Sequence, residues 1–215
     1  MLKKFLNHEK GITGLETAII LIAFVVVAAV FAYTTLSAGL FSTQKAQEAV
    51  YSGLKEAQST LELKGNVIAT ANESGENGRV GQISFTVANV LGGEMIDFEP
   101  PTANTTSNDG LADPSSENKV VINYVDKQQT KNDLFWAITK LGGSDDDNLL
   151  EANEKFKITI GSATANASGG NLISALDYPL NINTEFSLIV QTPIGAVLEL
   201  ERTTPAYMDA IMNLR

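Results

Sequence analysis

The stretch KGITGLETAIILIAFVVVAAVFAY, Lys10–Tyr33, decides the architecture of this chain. Glu16 is its only acidic residue, and no charged residue follows Glu16 until Lys45. As an α-helix at about 1.5 Å per residue, the neutral segment 17–44 would be about 42 Å long, and about 20 residues suffice to cross a bilayer. A helix that is apolar on all sides must be buried in lipid or in protein. The stretch therefore predicts a long helix that is surrounded either by lipid or by other protein.

The residues on either side of this stretch set the limits of the predicted helix. Residues 1–11, MLKKFLNHEKG, are short and basic, and their lysines favour the cytoplasmic face of a membrane. After Phe41 the apolar residues recur every three or four positions, which is typical of a helix with one apolar stripe. We predict one helix over residues 12–64 that ends near Gly65, where glycine can take the left-handed conformation.

Residues 65–215 have the sequence pattern of β-strands. Short runs rich in Val, Ile, Phe and Thr alternate apolar with polar residues, as in 83–87 and 156–160. Turn residues such as Gly92–Gly93, Pro100–Pro101 and Thr192–Gly195 separate the runs. About seven short strands of this kind indicate an antiparallel β-sandwich, immunoglobulin-like in type. The predicted fold class is therefore α+β, with a long N-terminal hydrophobic helix followed by an outer β-sandwich domain.

The composition excludes several classes of function. The net charge of −10 disfavours nucleic acid as a partner, because affinity for phosphates depends on lysine and arginine. The chain has no cysteine, and His8 is its one histidine. These counts exclude thiol chemistry, and once residues 1–11 are removed they also exclude histidine bases and histidine metal sites. No group of residues has a catalytic pattern, so we predict a protein that is not an enzyme; a hydrolase using carboxylates alone is the remaining enzymatic alternative.

An acidic cluster is the one candidate metal site. Asp145, Asp146 and Asp147, with Glu151 nearby, offer the carboxylate oxygens that calcium prefers. An EF-hand is excluded, because Phe156 stands where the last ligand of that loop would be a glutamate. A solvated acidic turn after two glycines explains the cluster better, so we expect no cofactor and keep structural calcium as the alternative.

Three sequons are candidate glycosylation sites. They begin at Asn72, Asn104 and Asn166, and all three lie in polar or turn-like stretches of the predicted outer domain. The predicted helix contains none.

The junction EKGITGLETAIILIAF resembles the processing site of an archaeal flagellin (archaellin), a relative of the type IV pilins. Gly11 matches the end of the family's basic leader, and Ile12 matches the first residue of the mature chain. Gly14 and Glu16 match the third and fifth mature residues. The resemblance continues through SAGLFSTQKAQEAVYSGLKEAQSTLELKGNVI and returns in FSLIVQTPIGAVLELERTTP near the C-terminus.

The resemblance implies a structural subunit of the archaellum filament, which serves swimming motility and surface adhesion. It implies cleavage of residues 1–11 by a membrane prepilin-type peptidase, a precursor in the cytoplasmic membrane, and an extracellular helical homopolymer built by the archaellum assembly machinery. Other archaellins are possible partners in the same filament. Glu16 is then expected to pair with the new α-amine of Ile12, on its own chain or a neighbour, and to complement the positive end of the helix dipole.

Two alternatives stay open from the sequence. An adhesive type IV-like pilin, or a minor subunit of the same machinery, shares the leader and the apolar helix; the segment STQKAQEAVYSGLKEA favours the archaellin. A membrane-anchored β-domain that binds a ligand would keep residues 1–11 and remain in the membrane fraction.

Overall fold

The computed structural model describes residues 9–58, 60–90, 94–104, 106–162 and 168–214, with the side chains in these ranges except those of residues 9–13, 56 and 58. The chain divides into two compact units, Met1–Ser52 and Gly53–Arg215. The leader at 1–8 and the sequon residue Asn166 lie outside the described residues.

A single helix, α1, dominates the N-terminal part of the chain and covers Glu9–Gln58. Its sequence is rich in Ala, Leu and other residues with good helical propensity, and proline is absent from it. The predicted long helix is therefore confirmed. The backbone is already helical at Gly11 and Ile12, where the predicted leader meets the predicted mature chain.

The predicted end of the helix, residue 64, is wrong. Helix α1 ends at Gln58, and strand β1, Leu61–Leu63, follows and pairs with Val87–Asn89. Leu61 is only 4% exposed, so burial in the sheet overrides the helical spacing that had placed it on the apolar stripe. The β-structure accordingly begins before the predicted boundary at residue 65.

Twelve strands and one short helix lie in the described part of the chain after α1. The further strands are β2 (Val67–Glu73), β3 (Arg79–Asn89), β4 (Ile96–Asp97), β5 (Val121–Asp126), β6 (Thr130–Lys131), β7 (Trp136–Leu141), β8 (Leu149–Leu150), β9 (Lys155–Ile160), β10 (Glu185–Gln191), β11 (Leu198–Thr203) and β12 (Ile211–Leu214); helix α2 covers Leu172–Ala175.

These strands form two main sheets. The larger has the order β12-β2-β3-β9-β7, with β1 also on β3, and the smaller has the order β11-β10-β5-β6. A separate pair joins β4 to β8. Every strand pairing is antiparallel. A long apolar helix followed by antiparallel sheets confirms the predicted fold class.

Both sheets contribute to one hydrophobic core. Ile83 and Phe85 enter it from the larger sheet, and Ile122 and Leu188 enter it from the smaller. Trp136 is fully buried and meets Phe98 edge to face, with 6.0 Å between ring centroids. We call the second unit, Gly53–Arg215, the β-unit. Burying the inner faces of both sheets in a shared core gives the β-unit its own stability.

Candidate functional site

Helix α1 presents an apolar surface that nothing in its own chain covers. Every described side chain from Gly14 to Lys55 is exposed, including Phe24 at 72% and Phe31 at 71%. Soluble monomers rarely leave an apolar surface of this extent open, and such a surface marks contact with protein or membrane. The exposed surface of α1 is therefore the candidate functional site.

The same helix has the length and composition of a membrane span. Gly14–Lys55 is long and apolar enough to cross a membrane, and none of its most apolar part is buried. A signal sequence near the N-terminus can have the same length and composition.

Several threonine hydroxyls within the apolar segment donate to carbonyl groups of the helix itself. Thr35 Oγ1 donates to the carbonyl of Phe31 at 2.7 Å, and Thr34 Oγ1 donates to the same oxygen at 2.9 Å. Thr43 Oγ1 donates to the carbonyl of Leu40 at 2.9 Å in the same way. These local bonds lower the cost of placing the threonine hydroxyls in lipid or in a packed protein core.

A shallow, open groove lies along the middle of α1. Its lining includes the small residues Ala32 and Gly39 beside Leu36 and Leu40. A Cβ added at Gly39 would meet nothing within 4 Å. Small residues at helical spacing let two helices approach closely. We did not predict this groove from the sequence; the three- and four-residue spacing of Ala32, Thr35 and Gly39 was the available signal.

The N-terminal site residues share the start of α1. The Glu16 side chain is exposed, and among the described side chains it has no ion-pair partner. A Cβ at Gly14 would meet nothing within 4 Å, so a neighbouring chain has room to approach there. The processing role of Gly11 and Ile12 and the assembly role of Gly14 and Glu16 stay predictions.

The carboxylates of the acidic cluster accept hydrogen bonds from backbone amides of their own turn. The amide of Asp147 donates to Asp145 Oδ1 at 3.1 Å, and the amide of Leu149 donates to Asp147 Oδ1 at 2.9 Å. Asp146 is exposed beside them. Within the described ranges no group of three or more His, Cys, Asp or Glu residues is arranged to hold a metal ion. A solvated acidic turn stays the prediction here, and calcium binding by Asp145, Asp146 and Asp147 stays its alternative.

The sequon asparagines occupy different settings. Asn72 is half-buried near the end of β2. Asn104 Oδ1 accepts from the amides of Thr106 and Ser107, both at 3.2 Å, which leaves its amide nitrogen free of these bonds. Asn166 falls outside the described residues. Glycosylation of the three sites stays a prediction.

Comparison with known proteins decides the family. The family model of the archaeal-type flagellins matches residues 11–202, which is most of the chain. The chain belongs to the archaeal-type flagellin family. The resemblance seen at the processing junction is thereby confirmed, and the family match begins at Gly11.

Two curated relatives come from Archaeoglobus fulgidus. Probable flagellin 1 is 36% identical over 98% of this chain and 98% of its own length. Probable flagellin 2 is 37% identical over 94% of this chain and 93% of its own. A solved structure of the archaeal flagellum of Methanospirillum hungatei strain JF1 is 28% identical, covers 94% of this chain and 98% of its own, and superposes with a TM-score of 0.61.

As an archaeal flagellin, the chain is a structural subunit of the archaellum filament and not an enzyme. It assembles as a helical polymer outside the cell. The exposed surface of α1 is consistent with this role, because a subunit that polymerises through one helix must leave that helix uncovered in the single chain.

Proposed function

We propose that a membrane prepilin-type peptidase removes residues 1–11 and that the mature flagellin begins at Ile12. Support comes from the lysines of the leader, which favour the cytoplasmic side, and from Gly11, a small residue at the junction. The start of the family match at Gly11 supports the same boundary.

In the precursor, α1 resides in the cytoplasmic membrane. After cleavage it moves into a bundle with the α1 helices of other copies and forms the filament core. Lipid and protein are about equally apolar, so close packing and not further burial from water drives this transfer. The observation that carries this proposal is the exposed surface of α1. This surface has no charged residue from Thr17 to Gln44.

Glu16 serves assembly. Cleavage before Ile12 leaves a cationic α-amine about one helical turn from the Glu16 carboxylate, on the same chain or on a neighbour. An unpaired charge in a dry helix bundle costs several kcal/mol, and pairing these two groups offsets most of that cost. The carboxylate also complements the positive end of α1.

The β-units face the medium on the outside of the filament, because their apolar residues are already buried in their own core. The filament turns to drive swimming, and it accepts other archaellins where their α1 surfaces match. We expect any sugars on Asn72, Asn104 and Asn166 to lie on this outer unit, and we expect no bound calcium at Asp145–Asp147.

The test is to shear filaments from cells that express the full chain and determine the N-terminal sequence and mass of the subunit. The proposal predicts Ile12 as the first residue. Recovery of Lys3 or Lys4 in sheared filaments would contradict it. Gly11→Val is the matched variant, and it should leave precursor in the membrane. Mass beyond that of residues 12–215 reports glycosylation.

A further inference from the structure

A concavity of about 300 Å³ opens on the β-unit where β5 ends and β10 begins. One wall is the turn at 126–128, and the other is the segment 178–185. Its volume is at the lower end of the range for cavities that hold small ligands, about 300–1,000 Å³. We call the concavity between these two segments the polar cavity.

Hydrogen bonds behind its surface hold the walls of the polar cavity in place. Gln129 Oε1 accepts from the Tyr178 amide at 3.2 Å, and Gln129 Nε2 donates to the Tyr178 carbonyl at 2.6 Å. The hydroxyl of Thr204, which is 2% exposed, donates to the Asn181 carbonyl at 2.6 Å and accepts from the Thr184 amide at 2.8 Å. Because the walls are fixed before a ligand arrives, binding requires little further ordering.

The charged groups of the polar cavity are already paired within the chain. The Asp126 carboxylate accepts four hydrogen bonds, from two backbone amides of its own turn, the Tyr124 hydroxyl and the Gln129 side chain. A carboxylate has about four lone-pair sites, so all are in use. Lys127 Nζ lies 2.8 Å from Glu185 Oε2. Since the described lining leaves no cation unpaired, the cavity favours a neutral ligand over an anion such as phosphate.

Three side-chain amides in the polar cavity have unused hydrogen-bonding capacity. Gln128, Asn181 and Asn183 are exposed, and no hydrogen bond joins their side chains to another residue that the structure describes. Each amide offers both donors and an acceptor. The hydroxyl groups of a sugar are likewise donors and acceptors, so amides can bind them without any charge.

An aromatic ring completes the lining. The Tyr178 side chain is 57% exposed, while its backbone is held by Gln129. A tyrosine ring presents a large apolar face and a polar hydroxyl tip. The C–H groups on one face of a sugar ring pack against such an aromatic face, and the sugar hydroxyls point outward toward neighbouring polar groups.

We propose that the polar cavity binds a neutral sugar unit of a glycan, with the sugar ring against Tyr178 and its hydroxyls on the amides of Asn181 and Asn183. The volume fits one sugar ring, whereas an extended peptide would need a longer groove. This binding goes beyond polymerisation, because no residue of α1 lines the cavity. A filament repeats the cavity on every subunit, so weak single sites would add up to firm attachment to a polysaccharide.

The test uses the full chain, produced in a host without N-glycosylation and dissolved in a detergent that contains no sugar. The probes are the methyl glycosides of mannose, galactose and glucose, and saturation-transfer NMR measures their Kd. We expect saturable binding of at least one probe. Tyr178→Ala should raise that Kd about fivefold or more. Tyr207→Ala removes a similarly exposed tyrosine outside the cavity lining and should change the Kd by less than about twofold.

Asn183→Gly tests the amides without disturbing the backbone. Asn183 has a φ of 50°, a left-handed conformation that glycine adopts freely. The variant should raise the Kd about threefold or more, because it removes one hydrogen-bonding side chain. Asn153→Gly is the matched control, since Asn153 has a φ of 74° and lies outside the cavity lining. It should leave the Kd unchanged, and circular dichroism verifies the fold of each variant.

Three results would overturn the proposal. The first is no saturable binding of any of the three glycosides. The second is binding that Tyr178→Ala and Asn183→Gly leave unchanged. The third is tighter binding at the cavity of methyl glucuronide, which is anionic, or of trialanine, which would assign the cavity to an anion or to a peptide.

Sheared filaments from the native host identify the source of the sugar. Filaments that bind the glycoside directly have a cavity open to an external polysaccharide. Filaments that bind it only after their own sugars are removed carry the natural ligand on their subunits. Both results support the proposal. The dissolved chain tests the cavity whether or not filaments form, so failure of the proposed function and failure of this inference are distinguishable.

Discussion

Glu16 is the residue with the sharpest expected effect on assembly. Glu16→Gln keeps the shape of the side chain and removes its charge, so the α-amine of Ile12 would enter the helix bundle without a partner. Breaking a buried ion pair costs about 3–5 kcal/mol, and we therefore expect filament yield to fall about tenfold or more. Cleavage should stay largely intact. Immunoblotting of precursor and mature subunit, with the mass of sheared filaments, measures both quantities.

Glu16→Lys is the companion variant and should assemble even less, because it places two cations together. A Gln variant that is cleaved and builds filaments at the level of the unmodified chain would remove the assembly role. Loss of cleavage in the Gln variant would instead assign Glu16 to recognition by the peptidase.

Asp126 is the residue that ties the β5–β6 turn to the rest of the β-unit. Its Oδ1 accepts from the amides of Gln128 at 2.6 Å and Gln129 at 2.9 Å, and its Oδ2 accepts from the Tyr124 hydroxyl at 2.8 Å. Partial burial by itself raises the Asp126 pKa, but these hydrogen bonds outweigh burial and hold the pKa below its ordinary value. Gln129 Nε2 extends the network to the carbonyl of Tyr178.

A lowered folded-state pKa means that Asp126 stabilises the fold above its unfolded pKa and loses this contribution as the pH falls through the folded value. Asp126→Asn should therefore lower the free energy of unfolding by about 1–3 kcal/mol at pH 7 and by less at pH 3. Urea unfolding of the full chain in detergent at both pH values measures this.

The matched control for Asp126→Asn is Tyr124→Phe, which removes one donor and leaves both backbone bonds to Asp126 in place. Its effect should be smaller at pH 7 and should fall by less between pH 7 and pH 3, because only one of the hydrogen bonds that lower the Asp126 pKa is lost. If Asp126→Asn lowers the free energy of unfolding equally at the two pH values, the carboxylate charge contributes nothing to the stability of the fold.

At the scale of elements, the groove along α1 is expected to be a contact between helices. Gly39→Leu fills the groove and should reduce filament yield severalfold. It should not destabilise the single chain, because nothing lies within 4 Å of the added Cβ and leucine has a higher helix propensity than glycine. Circular dichroism of dissolved subunits and the mass of sheared filaments separate the two effects.

Gly39→Ala provides a graded control for Gly39→Leu, since it adds one methyl group at the same position. Its filament yield should lie between those of the unmodified chain and the leucine variant. Normal yield from Gly39→Leu would exclude close packing at this groove.

The loop Gly142–Asn148 should respond little to calcium. Asp145 and Asp147 already accept amide hydrogens, and within the described ranges no third acidic ligand joins them in a metal-binding group. A ligand that binds the folded state raises the melting temperature by mass action. We expect no clear rise when calcium is added to the full chain in detergent, and a rise that Asp147→Asn abolishes would establish a site.

The elements differ in how far the sequence determines them. Helix α1 was predictable because its apolar, uncharged run from Thr17 to Gln44 is a local property. Its end was not, because Leu61 fits a helical stripe and a sheet core equally well until β3 is in place. Strand β12 was missed for a similar reason: Met212 and Leu214 become recognisable as core residues only beside β2.

At the scale of the whole molecule, the sequence predicted the family and the role. The surfaces of the outer domain could be described only from the structure. The processing junction is a local motif at fixed spacing, so Gly11, Ile12, Gly14 and Glu16 could be proposed from the chain alone. One hollow of the outer domain is lined by both Met95 and Ile194, residues far apart in sequence. Such a surface depends on tertiary packing, which no local pattern encodes.

The central claim is that α1 leaves the membrane and forms the filament core while the β-units lie outside. Helical reconstruction of sheared filaments by electron cryomicroscopy tests this most directly. The account predicts a bundle of α1 helices around the axis, starting at Ile12, with each β-unit at larger radius. Density showing β-units at the axis, or α1 helices exposed on the filament surface, would contradict it.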